Sequence, residues 1–267
     1  MLEHLTLRRS AIAYLYRENL SLARDENLRF YDRVTASGVD ISDFSIQGPE
    51  LVLVRRPLAA GSGALEIRAG LFGFAPQLTQ LRLLVSETVA VDRPVDLVWE
   101  TADLVRDAFS TLWGGRLSEP NLTEVTLEFS AAAPRGDSRG FLAESVAKID
   151  PSSLHHLGRT FEGFGLRFIS NQLTVSTAQP AQELPGAQVE MRLETLLADL
   201  TQLFILATIK WPALSVPVQQ LPAEVQRQVE GPVFQANIKA EKPSYYLKLG
   251  YDFVAKSVVA FLRHAAG

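Results

Sequence analysis

The chain has no cysteine, only four histidines in 267 residues, and no apolar run of membrane-spanning length. Each shortage excludes something. Without thiols there is no disulfide framework, thiolate-ligated zinc, iron–sulfur cluster or cysteine nucleophile. The longest apolar stretches, 11–16 and 203–209, fall far below the ~18 residues a spanning helix needs. Residues 1–10 carry charge throughout, unlike the apolar segment of a secretion signal. A soluble, cytoplasmic protein with no membrane partner is expected. Positive charge is not in excess either: 26 Lys plus Arg face 30 Asp plus Glu, a formal net charge of -4. Nucleic acid is therefore disfavoured as a partner, because a polyanion meets no global attraction.

The scarcity of histidine bears on catalysis, since histidine is the commonest general base. His4 and His264 sit beside the ends of the sequence, where order is poorest. His155 and His156 are adjacent, so on a helical turn they point about 100 degrees apart and do not share one metal. Neither Gly61-Ser62-Gly63 nor Gly70-Leu71-Phe72-Gly73 has the lysine or the strand-to-helix context of a phosphate loop. No nucleophile elbow, zinc helix or calcium loop is present. The sequence gives no reason to expect a catalytic residue, a metal or a cofactor.

What the chain does contain is a pattern written twice. Leu65-Glu66-Ile67-Arg68, followed by Leu78-Thr79-Gln80-Leu81, returns as Val189-Glu190-Met191-Arg192, followed by Leu200-Thr201-Gln202-Leu203. Gly48-Pro49-Glu50-Leu51 is matched by Gly163-Phe164-Gly165-Leu166. Asp103-Leu104-Val105 with Ala108, Phe109 and Leu112 is matched at identical helical spacing by Asp252-Phe253-Val254 with Ser257, Val258 and Phe261. Three matches in one order point to duplication.

The periodicities predict a first copy, 1–117, made of a strand at 5–16, a helix from 20 to Gly38, strands at 50–56, 64–72 and 78–88, and a helix at 94–113. The second copy, 118–267, is predicted to hold a strand at 122–130, a helix at 138–149, strands at 165–170, 173–177, 187–193 and 202–211, and a long helix at 244–264. A connector at 213–242, with Pro217, Pro222 and Pro232, has no counterpart in the first copy. The fold class is α+β: a duplicated strand, helix, meander and helix unit, antiparallel because the later strands are joined by short turns. Joining the copies edge to edge in one sheet, with the helices on one face, would hide two edges.

Candidate contact residues are aromatic. Phe72 and Phe74 lie in a Gly- and Pro-punctuated hairpin, Trp211 ends the last strand, and Tyr245 and Tyr246 follow the connector. A second, polar candidate is Glu66 with Arg68 and its repeat Glu190 with Arg192, which share a strand face at i and i+2. A salt-bridged surface and a ligand-binding polar face both fit that spacing.

The repeated strand, helix and meander resembles the topology of sliding DNA clamps and of double hot-dog proteins. It departs from the clamps in carrying Asp96, Glu100, Asp103 and Asp107 against only Arg106 on its first closing helix, and from the hot-dog enzymes in placing no histidine for catalysis. Gly165-Leu166-Arg167-Phe168-Ile169 and Arg192-Leu193-Glu194-Thr195-Leu196-Leu197-Ala198-Asp199 resemble segments of a sporadically distributed, uncharacterised bacterial family of about this length. That resemblance implies a bacterial, cytoplasmic protein and transfers no functional residue. The sequence thus favours a non-enzymatic protein that binds another protein or itself. The alternative is a double hot-dog-like enzyme, or a binder of a small hydrophobic ligand, with a pocket between the copies and a buried carboxylate at Glu66 or Glu190.

Overall fold

A computed structural model describes residues 5–18, 20, 22–57, 63–73, 80–90, 94–150, 163–170, 174–176, 183–185, 187–213 and 241–266. The first half runs β1 (Leu5–Leu15), α1 (Arg24–Ala36), β2 (Asp43–Gln47), β3 (Glu50–Arg55), β4 (Leu65–Phe72), β5 (Gln80–Thr88) and α2 (Val95–Trp113). The second runs β6 (Leu122–Ala132), a short turn of helix α3 (Ser138–Gly140) continuing as a π-helical turn (Phe141–Val146), β7 (Gly165–Ile169), β8 (Thr174–Ser176), β9 (Glu183–Pro185), β10 (Gln188–Thr195) and β11 (Gln202–Pro212). It ends in α4 (Pro243–Asp252), a second π-helical stretch (Phe253–Val258) and α5 (Val259–Ala265).

Nine strands form one antiparallel sheet in the order β2-β3-β4-β5-β1-β6-β11-β10-β7, and β8 pairs with β9 separately. The centre is the β1–β6 pair, whose register runs from Leu5 opposite Ala131 to Leu15 opposite Leu122, with an irregularity between Leu7 and Arg9. Outward from it, the first strand of each half pairs with that half's last strand and the order then steps back: β1, β5, β4, β3, β2 on one side and β6, β11, β10, β7 on the other. The sheet is continuous across the boundary near residue 118, and Ile12, Val125 and Ile209 stand side by side in it with almost no exposure.

Alternation decides which face is covered. Leu51, Leu53, Ile67, Leu83, Tyr14, Leu127, Phe129 and Ile205 share one face by register and are buried. α2 and α4 lie on that face, packed against each other and against the central strands. α4 reaches the sheet because residue 250 is glycine: a Cβ there would stand 2.9 Å from Leu127 Cδ1 and 3.3 Å from Val125 Cγ1. The stripe of Tyr246, Leu247, Val254, Val258 and Leu262 is buried along this seam, each large apolar side chain contributing about 1.5–3 kcal/mol. α1 packs on α2 through Phe30, whose ring meets Phe109 edge-on at 5.4 Å.

Three expectations need correction. A strand at 43–47 was not predicted, yet Gly48-Pro49 makes a two-residue hairpin loop that returns β2 antiparallel to β3, with Gln47 opposite Glu50. α1 begins at Arg24, not at 20. The helix predicted over 138–149 is a single α-turn followed by a π-turn ending at Val146; Lys148, with φ 55°, lies outside the right-handed helical region and stops it. His4, Asn19, Phe74, His155, His156 and connector residues 214–240 lie outside the described residues.

Candidate interaction surface

The polar candidates Glu66, Arg68, Glu190 and Arg192 occupy the sheet face opposite the helices. Arg68 Nε donates to Glu66 Oε1 at 2.8 Å, and Arg192 Nε donates to Glu190 Oε1 at 2.9 Å. Their strands, β4 and β10, hold the same place in the two halves of the sheet, third from the central join. Glu50 extends the first network, accepting from Arg82 at 2.8 Å and lying 3.7 Å from Arg68. Arg167 extends the second, placing Nε and Nη2 on the two Glu190 oxygens at 2.8 and 3.0 Å. Those hydrogen bonds, first from Arg167 and then from Arg192, pull the Glu190 carboxyl down to about 2. Glu66 is 43% exposed and Glu190 25% at the side chain. Both are solvated, ion-paired carboxylates, and neither is a buried acid in a pocket between the halves.

The aromatic candidates separate into inside and outside. Trp211 is 0% exposed, and its ring stands 5.1 Å from that of Tyr246, itself buried. They build the core beneath α4 and offer no surface, so both are corrected from contact residues to packing residues. Tyr245 on the next position is 37% exposed and touches Tyr246 edge-on at 5.6 Å. Phe72 is half-buried at the end of β4 and carries the Arg82 guanidinium 3.7 Å from its ring centre.

Sequence reasoning missed a buried polar knot where β1 ends, β6 begins and the two long helices cross. Burial pushes the hydroxyls of Tyr16 and Tyr246 up to about 12 and that of Tyr14 well above its ordinary value, so all three stay neutral. Tyr14 donates to the Glu241 carbonyl at 3.2 Å, and the Arg106 guanidinium sits 5.0 Å from the Tyr14 ring centre. Asp103 on α2 accepts from the Ser244 amide and hydroxyl, both at 2.7 Å. α4 has no capping side chain of its own, since Lys242 precedes it. Asp103 supplies the missing cap and puts negative charge at the positive helix end. A second buried pair, Arg55 with Glu87, lies on the helix-covered face beside Leu65. Burial lowers the Arg55 pKa, and Asp40 opposes that shift.

The geometry at β2 is different in kind. Every residue from Asp43 to Gln47 is exposed, and among the described residues no strand lies on its outer side. Phe44 pairs with Leu53 and Ile46 with Leu51, so both continue the apolar, helix-side layer, yet they stand 47% and 56% exposed. Tyr31 of α1 stacks on Phe44 at 5.5 Å, and Leu28, one turn earlier, is also exposed. The result is an apolar patch bordered, among the described residues, by an unpaired strand edge. The available signal was Phe44-Ser45-Ile46 alternation before Gly48-Pro49.

Two shallow concavities flank the first π-turn. One of about 150 Å³ is lined by Arg135, Asp137, Phe141 and Glu144; the other, wide open at about 600 Å³, by Glu144, Lys148, Ile149 and Asp150. Neither includes a residue singled out from the sequence. Among the described residues no cluster of acidic or histidine side chains is arranged to hold a metal, and no helix is long and apolar enough to cross a membrane.

No protein-family model matches the chain, and no curated protein matches it. Among solved structures it is similar to the di-domain ARO/CYC BexL from the BE-7585A biosynthetic pathway. The identity is 10% over 97% of this chain and 98% of that one, with a TM-score of 0.23. It is also similar to the Pct1 RNA triphosphatase of S. pombe, at 10% identity over 98% and 86% of the two chains, with a TM-score of 0.11. At these scores neither likeness carries an argument about this chain.

Proposed function

We propose that the chain is a non-enzymatic, cytoplasmic binding protein, an internally duplicated scaffold that engages another polypeptide through the β2 edge and the patch of Leu28, Tyr31, Phe44 and Ile46. The observation that carries this reading is the pairing of a free, wholly exposed strand with two large apolar side chains that belong, by register, to the core-facing layer. An added strand would complete that layer and satisfy the edge's backbone groups at once. Duplication is supported by the sheet order stepping outward in the same way from β1 and from β6, and by the matching Glu–Arg pairs on β4 and β10. The solvated state of Glu66 and Glu190 speaks against the enzyme alternative.

The test is capture from native-cell extract by the immobilised full-length chain and by Ile46→Lys, with bound proteins identified by mass spectrometry. Binding proteins held by wild type and lost from Ile46→Lys, at unchanged Tm, are the expected result. Identical captured sets would overturn the proposal.

A further inference from the structure

The β2 edge carries enough geometry to say what it accepts. Resting on the reading of β2 as the contact surface, we infer that its occupant is the β2 of a second copy, paired antiparallel about a two-fold axis through Ser45. The backbone direction follows from the ladder. Leu71 donates its amide to the Pro49 carbonyl, so along β3 Leu51 and Leu53 turn their backbone groups toward β4, and Glu50, Val52 and Val54 turn theirs toward β2. On β2, Asp43, Ser45 and Gln47 therefore bond inward. Phe44 and Ile46 direct their amides and carbonyls outward to the free edge.

A two-fold axis at Ser45 sets Phe44 opposite the second copy's Ile46 and the reverse, both as hydrogen-bonded pairs. It overlaps all five residues of the strand, which an axis at Phe44 or Ile46 does not. Each aromatic side chain meets a β-branched one on the helix side, a favourable cross-strand pair, and the two Tyr31–Phe44 stacks close over the seam. Charge permits the pairing. The one formal charge on the strand, Asp43, lies 3.4 Å from Arg56 and would face Gln47 of the other copy. The edge has no lysine and no proline within the strand to block self-pairing, the usual protections of a free edge. An edge this neutral selects a partner by apolar match, and the match is with its own sequence.

The pairing puts Ser45 against Ser45 as a pair without backbone bonds, with Cα atoms about 4.5 Å apart, inside the range a disulfide spans. Because the chain lacks cysteine, Ser45→Cys introduces a single thiol into the full-length protein. Under mild oxidation it should form a covalent dimer at least ~10-fold faster than Gln47→Cys, whose thiols would lie roughly 14 Å apart along the strands. Wild type should double its mass in sedimentation as concentration rises, and Ile46→Lys should sediment as a monomer at every concentration with the Tm of dilute wild type. Monomeric wild type throughout, or equal cross-linking of the two cysteine variants, overturns the self-pairing. In that event, loss of partner capture by Ile46→Lys leaves the contact-surface reading standing, and unchanged capture removes that reading as well.

Discussion

Single side chains hold this molecule together at places the hydrophobic pattern alone does not reveal. Asp103 is one. It reaches from α2 to cap α4, so Asp103→Ala should cost about 1–2 kcal/mol, read as a lower midpoint in urea with unchanged slope. Gly250 is another, chosen for closeness to the sheet. Gly250→Val forces carbon into space occupied by Leu127 and Val125 and should cost roughly 1–3 kcal/mol, measured in the same way. Glu190 supplies a pH signature. Its folded-state pKa, about 2, lies below the ordinary value of 4.5. Its stabilising contribution is thus complete above the ordinary value and disappears as pH falls to the folded one. The Tm advantage of wild type over Glu190→Gln should shrink between these limits and vanish at the acid end; a constant gap would contradict the assignment. Residues of this kind were only half legible. The Glu–Arg spacing announced a shared strand face, but Asp103 and Ser244 are far apart in sequence and nothing local pairs them. Trp211 and Tyr246 look the same in sequence whether they face solvent or core, and only the packing of α4 decides.

At the level of elements, strong periodicity carried the reading and weak periodicity failed. β4, β10, β11, α2 and the α4–α5 rod were legible because their apolar residues repeat over many positions, set by burial on one side. β2 was not, because an edge strand of five residues with both faces exposed has little burial to pattern it. The helix at 138–149 failed for another reason: its apolar spacing is helical, but the backbone widens to a π-turn and ends at Lys148. A buried ion pair joins β3 to β5 across β4 in the first half. Arg55→Met removes the guanidinium paired with Glu87, whose side chain is 2% exposed, and should cost about 3–5 kcal/mol, most of it recovered when Glu87→Leu is added. Equal stability of the single and double variants would show that the pair is not coupled.

For the whole molecule, the β1–β6 join makes one sheet of the two halves of the chain. Cutting there would bare β1 and β6, two 11-residue strands with largely buried side chains, so unfolding in urea should be a single transition reported equally by Trp113 in the first half and Trp211 in the second. Two separated transitions would mean that the halves fold alone. The sheet order had been legible as a possibility, since pairing the copies hides two edges, but that same argument leaves β2 and β7 as the ends. The β2 end pairs with a second copy of itself, on the proposal above, and amide hydrogen exchange tests this most directly. In dilute full-length protein the Phe44 and Ile46 amides should exchange fast and the Ser45 amide, bonded to β3, slowly. In concentrated protein all three should be protected. Phe44 and Ile46 amides that exchange equally fast at both concentrations would contradict it.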